Sequence, residues 1–233
     1  MALFLYFAAW LKHADRAVLL YLNSLMLLPH AFVYFVGGLC GNPLARNLPV
    51  FALFLLIWYK ASSEGKTRMM AGLLASCLAV LAAVRMQYYC FVHVRPLLDK
   101  HLAIHVLNSN SYLGLDRLGS FPSDTITFFA AMAMILYLEN RFYGLIAFFW
   151  VLVLAFVKVM TGWHYPSDVL AGIVLGSCSV LLISGTPWLP QMLGRLTVRL
   201  PKMIVELAVI FFLMDAYTLF PGLQGVLHYL KRL

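Results

Sequence analysis

Charge is what this sequence has least of. Asp, Glu, Lys and Arg make up only 11% of its 233 residues, against about 25% for an ordinary soluble domain. With 63% hydrophobic residues and a mean hydropathy of +0.88, that scarcity excludes a disordered chain and argues against a soluble globule. Cysteine is sparse too. The four present, Cys40, Cys77, Cys90 and Cys178, are too few for a disulfide scaffold and mostly lie in apolar runs, where they read as filler. No His/Cys/acid cluster has metal-ligand spacing. His101 and His105 are four apart but lack a carboxylate partner, so neither a metal nor another cofactor is expected. Linkers, low-complexity tracts and repeats are absent, which leaves a single integral domain over 1–233. Among the charged residues the acidic ones are the scarcer, nine against 17 basic ones, for a net charge of +8. In a membrane protein that excess reflects cytoplasmic loops and lipid headgroups, so no nucleic-acid partner is expected.

What is present is a series of nearly uncharged runs approaching the roughly 20 residues a spanning helix needs. The first, Ala17 to Ala45, is interrupted by Asn23, Pro29, His30 and two glycines. The segment 1–43 is therefore either a first span or interfacial helix. Lys12 and Arg16 follow the first apolar stretch instead of preceding it, so a cleavable signal peptide is not expected. Further spans are predicted at about Leu44–Tyr59, Met69–Val94, Pro122–Leu138, Phe142–Val157, Val169–Ile183 and Met203–Phe220. The last of these heads an additional C-terminal helix and tail over 203–233. The fold class is an all-α polytopic membrane bundle of about six spans, or seven if the first run crosses.

Loop charge sets the orientation. Lys60, Lys66 and Arg68, then Arg141, then Arg195, Arg199 and Lys202 lie in loops that share one side by parity. The positive-inside rule makes that side cytoplasmic. Three polar segments then meet on the opposite side. They are His93-Val-Arg95-Pro96, Ser120-Phe-Pro-Ser123-Asp124-Thr125, and Lys158 through Thr161-Gly-Trp-His164-Tyr-Pro-Ser-Asp168. Charged groups at membrane depth are costly and point to function. Phe121-Pro-Ser-Asp and Tyr165-Pro-Ser-Asp each read as a helix start, with Pro preset in φ and Asp complementing the dipole. Asp124 and Asp168 can therefore be simple capping residues. The same free N–H groups, with Ser123, Arg95 and Lys158 nearby, suit a phosphate. His164 stands four residues before Asp168, spaced for a carboxylate to orient an imidazole and leave its other nitrogen bare.

These motifs resemble the type 2 phosphatidic acid phosphatase superfamily of membrane lipid phosphatases. That family has three signatures: Lys, six residues, Arg-Pro; Pro-Ser-Gly-His; and Ser-Arg, five residues, His, three residues, Asp. Here they correspond to Arg95-Pro96, to Pro122-Ser123-Asp124-Thr125, and to Val157-Lys158 with His164 and Asp168. The resemblance implies that His164 attacks phosphorus to form a phosphohistidine, with Asp168 in support. It also implies that Arg95, Ser123, Lys158 and the backbone at Asp124 and Thr125 hold the phosphoryl oxygens, without a metal.

The pattern breaks in four places. Tyr88 stands where the family has Lys, with Arg85 one turn away as a possible accessory. Lys158 replaces Arg and loses the bidentate fork. Val157 replaces Ser. Thr125 replaces the His that protonates the leaving oxygen; a hydroxyl is too weak an acid for that. Three explanations remain: a leaving group that needs no acid, such as a lipid monophosphate leaving a diphosphate; a different acid, with His93, His101 and His105 as candidates; or a chain that binds lipid without turnover. The expectation is thus a lipid phosphatase favouring a polyprenyl diphosphate. The alternatives are a lipid phosphotransferase and a catalytically degenerate lipid-binding protein. The expected location is a bacterial inner membrane with the site on the extracytoplasmic face. The lipid bilayer and a membrane lipid substrate are the implied partners, and the sequence is silent on oligomeric state.

Overall fold

The computed structural model describes residues 2–89, 94–106, 119–186, 188–198 and 202–217. Among them the regular structure is helical, in nine α-helices with two short 3-10 turns. These are α1 (Ala2–Ser24), α2 (His30–Gly41), α3 (Pro43–Lys60), α4 (Ser63–Tyr89), α5 (Asp124–Glu139), α6 (Arg141–Met160), α7 (Pro166–Ser184), α8 (Trp188–Val198) and α9 (Lys202–Tyr217). The all-α bundle expected from the sequence is the observed architecture.

By length and composition α4, α6 and α7 are long and apolar enough to cross a membrane, and α2 with α3 qualifies as a pair bent by 58°. The predicted run 17–45 is not one straight helix. It comprises the end of α1, a 3-10 turn at Leu25–Leu27 and α2. Pro29 precedes α2, and Asn42 caps α3 by accepting from the N–H groups of Leu44 and Ala45, an arrangement that starts a new helix instead of continuing the old one.

The centre of the bundle is α5, packed most extensively against α7, then α6 and α4. It has only 16 residues, about 24 Å at 1.5 Å per residue. Almost all of it is enclosed by protein, with Ile126, Phe128, Phe129, Ala130, Ala131, Met132, Ala133 and Leu136 fully buried. Small residues permit the close crossings. A methyl group at Gly176 would lie 2.1 Å from the Thr127 carbonyl oxygen, and one at Gly172 would lie 2.8 Å from that of Ser123. The Gly-x-x-x-Gly spacing on α7 thus brings its backbone against the first turn of α5. Gly144 does the same for α6, where a methyl would meet the Tyr137 backbone.

The two ends of the bundle differ in chemistry. At one end Arg68 of α4 holds Glu139 of α5 through paired bonds of 2.8 and 3.0 Å and also reaches Glu64, while α8 packs on α4. The segments carrying Lys66, Arg68, Arg141 and Arg195 therefore gather at one end, as the loop parity predicts. The segment read as a basic loop around Arg195 instead forms α8. At the other end the chain segments around Arg95, Ser120–Ser123 and Lys158–Asp168 meet.

Candidate active site

The long turn from α6 to α7 carries most of the site. Helix α6 stops because Gly162 adopts φ +72°, which only glycine enters readily. The N–H groups of Trp163 and His164 fold back onto the Lys158 carbonyl at 3.0 and 3.4 Å. Helix α7 then starts at Pro166, and Asp168 accepts the Tyr165 N–H through Oδ2 at 2.8 Å. Asp168 thereby performs the capping that its position allows. The neighbouring segments are stitched to this turn. Leu97 N–H donates to the Gly162 carbonyl at 2.9 Å, and Ser123 N–H donates to the Asp168 carbonyl at 3.0 Å.

His164 is buried, with 1% of its surface exposed. Its Nδ1 lies 2.9 Å from the Ser120 carbonyl oxygen. A carbonyl only accepts, so the proton sits on Nδ1 and Nε2 keeps its lone pair. Asp168 Oδ2 is 3.6 Å from the same Nδ1, beyond hydrogen-bond length but close enough to favour an imidazolium. The orienting bond expected from Asp168 is made by the backbone of Ser120 instead. On the far side of the ring Nε2 faces Arg95 Nη1 at 3.5 Å. Burial, first, and the Arg95 guanidinium push the His164 imidazole below its ordinary range, against the pull of Asp168 and Asp124. The ring is thus held neutral and nucleophilic.

Arg95 is 4% exposed, and its Nε is buried with no hydrogen-bond partner among the described residues. Its Nη2 donates to Gln87 Oε1 at 3.3 Å. Desolvation lowers the guanidinium from its usual value while Asp124 and Asp168 oppose that; it remains charged at any working pH. Lys158 is also buried, with Nζ 4.8 Å from the centre of the Trp163 ring, a cation–π arrangement. Ser123 is fully buried at the start of α5, where its Oγ accepts the Ile126 N–H at 3.5 Å. Asp124 and Thr125 follow in the first turn of α5, with Thr125 2% exposed.

The accessory residues fall elsewhere. Arg85 is exposed and bonds the Tyr89 hydroxyl at 3.2 Å, and Tyr88 is 47% exposed beside the Tyr89 ring. Neither joins the cluster, because successive helical residues turn by 100° and it is Gln87 that faces inward. Gln87 was not singled out from the sequence. It is 1% exposed, donates to the Pro122 carbonyl at 2.7 Å and accepts from Arg95, so it joins the first two motifs. An amide next to the position where the family places Lys is the one signal that could have marked it. His101 and His105 are exposed on the outer segment, and His93 lies outside the described residues.

Two buried cations and an imidazole whose Nε2 faces one of them, at one end of an apolar helical bundle, mark an integral membrane protein equipped for an anionic group. The model of the PAP2 superfamily matches residues 89–190, a little under half of the chain, and that segment is similar to the superfamily. The matched segment contains Arg95, Ser123, Lys158, His164 and Asp168. At the coarse level the match supports phosphatase activity on phosphate esters. No curated protein and no solved structure matches the chain significantly.

Proposed function

We propose that the protein removes phosphate from a membrane lipid phosphate or diphosphate through a phosphohistidine on His164. The observation that carries this reading is that His164 Nε2, an acceptor in this tautomer, lies 3.5 Å from Arg95 Nη1, while the buried Nε of the same guanidinium has no hydrogen-bond partner among the described residues. A buried donor without a partner costs about 1–3 kcal/mol, and a phosphoryl oxygen would relieve it. In the first step the Nε2 lone pair attacks phosphorus. The bond from phosphorus to the bridging oxygen breaks, and its electron pair leaves with the lipid. Arg95, Lys158, Ser123 and the N–H groups at the start of α5 stabilise the charge on the three phosphoryl oxygens. The imidazolium is supported by Ser120 and Asp168. In the second step water attacks phosphorus, the P–N pair returns to Nε2, and the water proton leaves on phosphate.

The threonine at 125 sets the substrate preference. General acid catalysis contributes about 10²–10⁴-fold, and a lipid monophosphate leaving a diphosphate needs it least. A polyprenyl diphosphate is accordingly favoured over a monoester. The basic end of the bundle, with Lys66, Arg68, Arg141 and Arg195, supports a cytoplasmic assignment for that end and an extracytoplasmic site; the membrane we propose is a bacterial inner membrane. The test is a donor panel of polyprenyl diphosphate, lipid A and phosphatidate, scored for free and transferred phosphate, with the wild type and His164→Ala. Release that disappears in the variant supports the reading. Acceptor-dependent consumption without free phosphate would make it a phosphotransferase. Unchanged release from His164→Ala would sink the nucleophile.

A further inference from the structure

Helix α1 lies outside the matched segment, yet it touches the catalytic turn at both ends. Near the middle of α1, Asp15 is 8% exposed and both its carboxylate oxygens are engaged by Ser167. Oδ1 accepts the Ser167 N–H at 2.9 Å, and Oδ2 accepts its hydroxyl. Ser167 is the residue before Asp168, in the first turn of α7, whose N–H groups have no partner within the helix. A carboxylate there also meets the positive end of the dipole. Eight residues on, Asn23 is 1% exposed. Its Nδ2 donates to the Met160 carbonyl at 2.9 Å, at the last residue of α6, two beyond Lys158.

The same helix holds the outer segment that follows Arg95. Asn23 donates to the His105 carbonyl at 3.0 Å and accepts the His105 N–H at 2.7 Å. Arg16 donates to the His101 carbonyl at 3.0 Å. A buried carboxylate is expensive to bring out of water, and an apolar surface helix has no need of one for lipid contact. Asp15 is spent on the backbone of the segment that aims His164.

We infer that α1 is a clamp on the catalytic turn, with Asp15 and Asn23 as positioning residues for His164 and Lys158. Asn23 fixes where the turn begins and Asp15 fixes where it ends. Between them the chain is held by Pro166 and by the bond from Tyr165 N–H to Asp168. Misplacement by about 1 Å can cost about 10²-fold in rate, so loosening either point lowers turnover while leaving lipid affinity in place.

The kinetic consequence rests on the phosphatase reading above; the mechanical one does not. The experiment therefore has two arms on the full-length protein in lipid nanodiscs. Hydrogen exchange over residues 158–168 reads the clamp, and phosphate release from polyprenyl diphosphate, per folded molecule, reads its effect. For Asp15→Ala we expect exchange faster by roughly tenfold and kcat lower by about tenfold or more, with KM within about twofold. Asp15→Asn, which keeps one acceptor for the Ser167 N–H, should recover part of the rate. Unchanged exchange overturns the clamp. Faster exchange with unchanged kcat overturns the positioning role. If Asp15→Ala does not fold, Ser167→Ala removes only the hydroxyl arm and should still lower kcat several-fold; an unaltered kcat there overturns the proposal. If the wild type turns over none of the three donors, the functional reading fails and the exchange arm alone decides the clamp.

Discussion

His164 donates its Nδ1 proton to the Ser120 carbonyl across 2.9 Å. The bond ties the turn between α6 and α7 to the segment leading into α5, and it fixes the tautomer. Because the acceptor is backbone, no side-chain substitution removes it directly. The tautomer is written into the fold, and the Asp168 carboxylate is left to cap α7 and to stabilise positive charge on the ring.

The pH dependence follows from the burial of that ring. His164 is held below its ordinary pKa of about 6.5 by desolvation and by Arg95, against Asp168 and Asp124. Its neutral, reactive form therefore persists as the pH falls through 6.5. The acid limb of kcat/KM, which reports the free enzyme, should lie below that value. The sign for stability is the same. The unfolded chain binds a proton on this residue at a higher pH than the folded one, so stability drops as the pH goes down through the unfolded value. A kcat/KM profile between pH 4 and 8 checks this, and an acid limb above about 7 would contradict it.

Thr125→His restores the acid that the family places in the first turn of α5. It should raise phosphate release from a monoester such as phosphatidate by about tenfold or more, within the range general acids supply. Release from a diphosphate should change little, because its leaving group needs less help. Parallel assays on the two donors test this, and an equal loss on both would count against the leaving-group argument.

Gln87→Leu removes the acceptor for Arg95 Nη2 and the donor to the Pro122 carbonyl. Both groups are buried, so the cost to stability is about 1–3 kcal/mol. With Arg95 no longer held, phosphate binding should weaken as well. The measurements are thermal unfolding in detergent and KM for the lipid donor. Gln87→Glu, which keeps an acceptor for Arg95, should retain more of the affinity.

Gly176→Ala tests the crossing of α5 and α7. The added methyl would lie 2.1 Å from the Thr127 carbonyl oxygen, and backbone on both sides limits relaxation. Overpacking of this kind costs about 1–3 kcal/mol, and here it also pushes apart the helix starts that carry Ser123 and Asp168. A lowered unfolding temperature with reduced turnover is the expected result.

Much of this was legible in the sequence, for physical reasons. The apolar runs that became α3, α5, α6 and α7 are bounded by charges, Asn or Pro at both ends, so their limits differ from the observed helices by only a few residues. The motif residues Arg95, Ser123, Lys158, His164 and Asp168 sit at the ends of such runs, and parity alone brings them to one side. Helix α8 was hidden because its arginine read as part of a basic loop, although an interfacial helix carries the same charges. Ser120 was placed in the outer segment but given no role, because it acts through its carbonyl, which every residue has. Gln87, Asp15 and Asn23 gave no functional signal because the bonds that tie Gln87 to Pro122, Asp15 to Ser167 and Asn23 to Met160 span 35 to 152 residues, and no motif includes them. The glycines at 172 and 176 were given no role in the sequence, because only the position of α5 says what they pack against.

The central claim is that phosphorus is bonded to His164 during turnover. The most direct measurement is to mix the purified full-length protein with ³²P-labelled polyprenyl diphosphate, quench within the first turnover in alkali, and map the label by peptide mass spectrometry. The account predicts an acid-labile, alkali-stable phosphate on the peptide containing His164, present in the wild type and absent from His164→Ala. Steady phosphate release from the wild type with no label on that peptide at any quench time would contradict it.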